Sequence, residues 1–121
     1  MYLFRIISAE EWDQTKQDRK VPRCPSDERD NCVHLTRFED VTLVANKYFT
    51  IEENPVVLEV DITDFEDKIT WIEPTLEKPW NQPNADIKNI DWRNIKRYAR
   101  FIPFEEKEGD FQIGEFQNPG K

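Results

Sequence analysis

The spacing of apolar and polar positions divides the chain into short, well-marked elements. Residues 2–7 (Tyr-Leu-Phe-Arg-Ile-Ile) are aromatic and β-branched and predict a strand. Ser8 stands three positions before Glu11, the capping-box spacing, and predicts a helix to about residue 18 with Ala9 and Trp12 inward. Pro22, Pro25 and the polar run 26–30 predict a loop over 19–30. Residues 32–35 form a short strand in which Cys32, His34 and Thr36 share one face. Thr36 and Glu39 repeat the capping-box spacing. They predict a second helix over 37–49, with Phe38, Val41, Val44, Ala45, Tyr48 and Phe49 in its stripe. Val56, Leu58 and Val60 alternate in the clearest strand, 56–61, and a tight or single helical turn follows.

Residues 68–73 predict a further strand, with Ile69, Trp71 and Glu73 on one face and Thr70 and Ile72 on the other. From 74 to 94 no period is clean. Pro74, Pro79 and Pro83 mark a long loop, pinned by Trp80 and Trp92. Residues 95–102 read as a last core strand stopped by Pro103, and residues 111–116 either add an edge strand or stay loose. Two main helices come early and about six strands dominate. The expected class is α+β with a bent or split mixed sheet, in one domain over 1–104 followed by an acidic tail over 105–121.

Composition sharpens this picture in three ways. Four Trp, three Tyr and eight Phe supply core area that the modest aliphatic content lacks. A net charge of −8 disfavours a broad grip on nucleic acid or anionic lipid, though it is compatible with a basic protein partner. The apolar run 2–7 is short and broken by Arg5, and no stretch reaches membrane-span length; the expectation is a soluble cytoplasmic protein with no membrane contact.

Candidate chemistry centres on the single histidine. His34 lies at a strand end beside a helix N-terminus, where amides point outward and anions are welcome. Its side chain either contacts a ligand or serves as a backbone-bonded structural group. Cys24 and Cys32 lack CxxC spacing and read as free thiols, so no metal site is expected from them and His34. Lys96, Arg97 and Arg100 are the densest basic stretch, either solvated and ion-paired or a clamp for pyrophosphate.

Several segments match one pattern in order: Ile-Ile-Ser-Ala-Glu-Glu-Trp at 6–12, Val-His-Leu-Thr at 33–36, Ala-Asn-Lys-Tyr-Phe at 45–49, Val-Val-Leu-Glu-Val-Asp at 56–61, and Trp-x-Glu-Pro at 71–74. The pattern resembles the bacterial family known as domain of unknown function nine-five-two, over roughly residues 2–104. That family shows Ile-His-x-Ser/Thr and Trp-Glu-Pro at the corresponding places. Here Ile72 separates Trp71 from Glu73, and Lys96 and Ala99 stand where the family has a second histidine and a glycine.

The resemblance implies an ADP-ribosyltransferase-like fold, a split, bent sheet with NAD in its cleft. It implies His34 and Thr36 at the ribose and Trp71 or Tyr98 stacking, and the basic stretch offers Arg97 toward the phosphates. Glu73 would be the carboxylate steadying an oxocarbenium-like transition state, with His34 beside it as the second catalytic group. The family's adjacent Trp and Glu face opposite sides of the strand, so Glu73 takes the family's facing only if a bulge absorbs Ile72; otherwise its assignment falls. Two functions follow: an enzyme that cleaves NAD or transfers ADP-ribose, or a module that binds a nucleotide or a protein partner after losing that catalytic set.

Overall fold

The computed structural model describes residues 1–103 and 110–120. The expected boundary at 104 and the acidic stretch 105–109 lie outside the described residues. β1 (Tyr2–Ile7), β4 (Val56–Asp61), β8 (Ile95–Pro103) and β9 (Phe111–Ile113) form a four-stranded sheet in the order β1-β4-β8-β9. β3 (Val33–His34), β6 (Gln82–Ala85) and β5 (Ile69–Ile72) form a second, ordered β3-β6-β5, and β2 (Lys20–Val21) pairs with β7 (Ile90–Asp91). Every ladder among the described residues is antiparallel, so the expected mixed sheet is corrected. A parallel neighbour needs a long crossover; here chain-adjacent strands such as β8 and β9 fold back on each other. The result is α+β with a curled antiparallel sheet.

Alternation along β1 and β4 puts side chains on both faces of the main sheet. Leu3, Ile7, Val56, Leu58 and Val60 join Trp12 of α1 (Ala9–Asp18) in one buried cluster. Phe4, Ile6 and Val57 join Val41 and Ala45 of α3 (Val41–Tyr48) in a second. Sealing side chains of this size from water contributes roughly 1.5–3 kcal/mol each, enough to hold both helices on the sheet. α1 starts where expected: Ser8 Oγ accepts from the Glu11 amide at 3.1 Å, and Glu11 Oε1 accepts from the Ser8 amide at 3.1 Å.

Three local expectations are corrected. The loop over 19–30 contains a short helix, α2 (Pro25–Asp30), opened by Pro25 at its first turn. The loop over 74–94 contains β6 and β7. Thr36 caps no helix. Residues 38–40 form a 3-10 turn, α3 begins at Val41, and Glu39 pairs with Arg37 at 3.2 Å. The Thr36 backbone is instead drawn to β1, exchanging bonds of 2.8 and 2.7 Å with Phe4. Among the described residues, no helix is long and apolar enough to cross a membrane.

Candidate functional site

The two larger sheets touch along β1 and then part. Phe4 and Thr36 make one isolated bridge between them. Two residues along, an ordinary ladder would pair Ile6 with His34, because alternate residues share a hydrogen-bonding edge. It does not form. The His34 carbonyl accepts from Arg5 Nη1 at 2.8 Å, and the His34 amide donates to Asp27 Oδ1 at 3.1 Å. Arg5 and Asp27 thus wedge the sheet open.

The wedge is a buried ion pair. Arg5 donates through Nη1 to Asp27 Oδ1 (3.1 Å) and through Nη2 to Oδ2 (2.6 Å), with side-chain exposures of 7% and 1%. A charged pair so sealed must be fully hydrogen-bonded to persist. Asp27 meets that condition: it also accepts from the Cys24 amide at 3.2 Å and lies 2.7 Å from His34 Nδ1. Burial pushes the Asp27 carboxyl up, but hydrogen bonds from His34 and Arg5, with the Arg5 charge, outweigh it. The group is held well below the ordinary carboxylate range. His34 Nε2 lies 2.8 Å from Asp30 Oδ2, so both ring nitrogens face carboxylates on α2.

Beside the wedge lies a cavity of about 470 Å³, bounded by β1, β3, β6, α2 and α3. Its size falls within the ~300–1,000 Å³ typical of small-molecule sites. Arg5, His34 and Thr36 contribute at the split. Tyr48, Phe49 and Trp80 give an aromatic wall, in which the Tyr48 and Trp80 rings meet edge-to-face at 6.1 Å. Lys47 reaches across both rings and bonds the Glu77 carbonyl. Gln82 and Asn84 supply neutral amides from β6, Lys78 adds a cation, and Arg29 adds one that is paired with Asp30 at 3.1 Å. Glu11 is the carboxylate among the lining residues, and its Oε1 is held in the α1 cap.

Of the residues singled out in the sequence, His34 and Thr36 meet at this cavity. Trp71, Glu73, Arg97 and Tyr98 are not among its lining residues. β5 runs in unbroken register with β6 from Ile69 to Ile72, so no bulge absorbs Ile72. Trp71 is paired with buried Pro83, and cross-strand partners share a face. By alternation Glu73 follows the Trp71 side, opposite the face of Gln82 and Asn84. It is exposed. Arg97 grips both oxygens of Glu59 at 2.9 and 2.7 Å and lies over Phe116. Tyr98 packs against Trp12 at 4.9 Å, which in turn stacks on Trp92 at 5.5 Å.

Arg5, Asp27, Gln82, Asn84 and Tyr48 were not expected at a site. Arg5 carries a readable signal. A lone charge at an inward position of an apolar strand demands a buried partner. Asp27 and Asn84 carry none, because their importance comes from distant segments meeting.

A family model described as a protein of unknown function, DUF952, matches residues 6–98. No curated protein matches the chain. The crystal structure of protein CC0527 from Caulobacter crescentus is similar with a TM-score of 0.77 and 21% identity, covering 93% of this chain and 94% of that one. The solution structure of the same protein gives 0.69 and 22%, covering 87% and 88%. At these identities the likeness establishes the shared fold.

Proposed function

We propose that this chain, which belongs to the DUF952 family of proteins of unknown function, binds a nucleotide such as NAD or ADP-ribose in the split of its sheet and holds it without turnover. The observation carrying this is the cavity itself: about 470 Å³ beside a forced-open sheet, walled by aromatic rings and neutral amides, with Lys78 at hand and Arg29 paired to Asp30. Rings suit a base or nicotinamide, and cations suit phosphate oxygens. A split, curled sheet is also the feature that an ADP-ribosyltransferase-like architecture requires.

Catalysis asks for more than a cleft. Cleaving the bond to nicotinamide needs a carboxylate poised where positive charge develops. Glu73 lies on a face turned from the cavity, and Glu11 is engaged by Ser8. His34 has both nitrogens committed to Asp27 and Asp30. Retention without cleavage is the function this arrangement favours.

Calorimetric titration with NAD and with ADP-ribose, followed by chromatography of the NAD mixture, tests it. The expected result is heat of binding and no released nicotinamide. Released nicotinamide would make the protein an enzyme, and no binding of either compound at millimolar concentration would remove the nucleotide reading. Tyr48→Ala, at a half-exposed wall position, should weaken binding several-fold, on the scale of lost base stacking.

A further inference from the structure

The strand β6 is an odd strand. It reads Gln-Pro-Asn-Ala, with Pro83 and Ala85 buried and Gln82 and Asn84 on the alternate face. Two neutral carboxamides, about 7 Å apart by strand rise, therefore front the cavity together. Their chemistry is unused by the fold. Asn84 Oδ1 is buried with no hydrogen-bond partner among the described residues. Arg5 Nε, on another wall of the same cavity, is likewise buried and unpartnered. A buried acceptor or donor left unmet is costly and calls for an explanation.

We infer that the Gln82–Asn84 face selects the ligand, and that it takes a planar uncharged group presenting a donor and an acceptor side by side. This rests on the cavity being the nucleotide site proposed above and names the part of the ligand it reads. A phosphate or carboxylate brings acceptors alone and would leave Asn84 Oδ1 unmet. A primary carboxamide, or the amino edge of adenine, brings both, and asparagine and glutamine pair with such edges through two bonds at once. The Asn84 amide meets the ligand by turning about its terminal torsion, which is broad and soft.

Matched probes separate the possible sources of this edge. Nicotinamide is compared with nicotinate, and adenosine with purine riboside, which lacks the exocyclic amine. Each is titrated calorimetrically into the wild-type chain, Asn84→Leu and Gln82→Met, alongside ADP-ribose. The expected result is that nicotinamide or adenosine binds roughly tenfold or more tightly than its partner compound. The responding pair tells which edge is read. Asn84→Leu, close in size and without donor or acceptor, should erase that preference while the chain keeps its cooperative melting. If Asn84→Leu does not fold, Gln82→Met, at a half-buried position, must reduce the preference. ADP-ribose or NAD binding with no preference within either pair overturns the selection role and leaves the nucleotide reading standing. Preference undiminished in the folded variants overturns it equally. No binding by any compound overturns both.

Discussion

Asp27 is the residue on which the split depends. It holds Arg5, the His34 ring and backbone, and the Cys24 amide at once. Asp27→Asn leaves the Arg5 guanidinium buried without its counter-charge, which costs about 3–5 kcal/mol; urea unfolding at neutral pH measures it. The pH dependence follows from the direction of the shift. The folded carboxyl titrates well below its ordinary value, whereas in the unfolded chain it titrates near ~3.9. The stabilisation is therefore full above pH about 4 and is lost as pH falls below it, because the unfolded chain takes up a proton the folded one refuses. Unfolding measured from pH 6 to pH 2 should show a steep acid limb in the wild type and a shallower one in Asp27→Asn. Equal slopes would contradict the assignment. The sequence exposed half of this pair: Arg5 inside Leu-Phe-Arg-Ile-Ile signals a buried charge, but nothing local tells that its partner lies in the polar run after Pro25.

Elements were legible where local chemistry and packing agree. Ser8-Ala-Glu-Glu starts a helix in isolation, and Trp12 on the inward stripe secures it in the core. Thr36-Arg-Phe-Glu has the same spacing, yet β1 claims the Thr36 backbone first, so tertiary pairing overrides the local cap. The contrast is measurable. Ser8→Ala should lower stability by about 0.5–2 kcal/mol, while Thr36→Val, which removes a hydroxyl that caps nothing, should change it by less than about 0.5 kcal/mol. A large loss at Thr36 would restore the capping role. β6 escaped detection for a related reason. Proline and amides argue against a strand, but pairing on both edges, to β3 and to β5, overrides that preference.

At the scale of the molecule, the class and a bent sheet were legible from element order, and the place where the sheet parts was not. Periodicity gives faces but not which strand edges separate, and here the separation comes from two side chains inserted into a ladder. The same limit scattered the candidate site. His34 and Thr36 lie on one segment and stay together. Trp71, Glu73, Arg97 and Tyr98 lie on strands whose facing depends on register. The molecule that results is an acidic α+β domain with a cavity at the parting of its sheets, and its proposed work is to hold a nucleotide there.

The four indole groups make that claim testable in one spectrum. Trp80 borders the cavity, Trp12 and Trp92 stack on each other away from it, and Trp71 is exposed on β5. Titration of ¹⁵N-labelled protein with NAD should move the Trp80 indole resonance saturably and leave those of Trp12, Trp92 and Trp71 in place. Movement centred on Trp71, or no movement at millimolar NAD, would contradict the account.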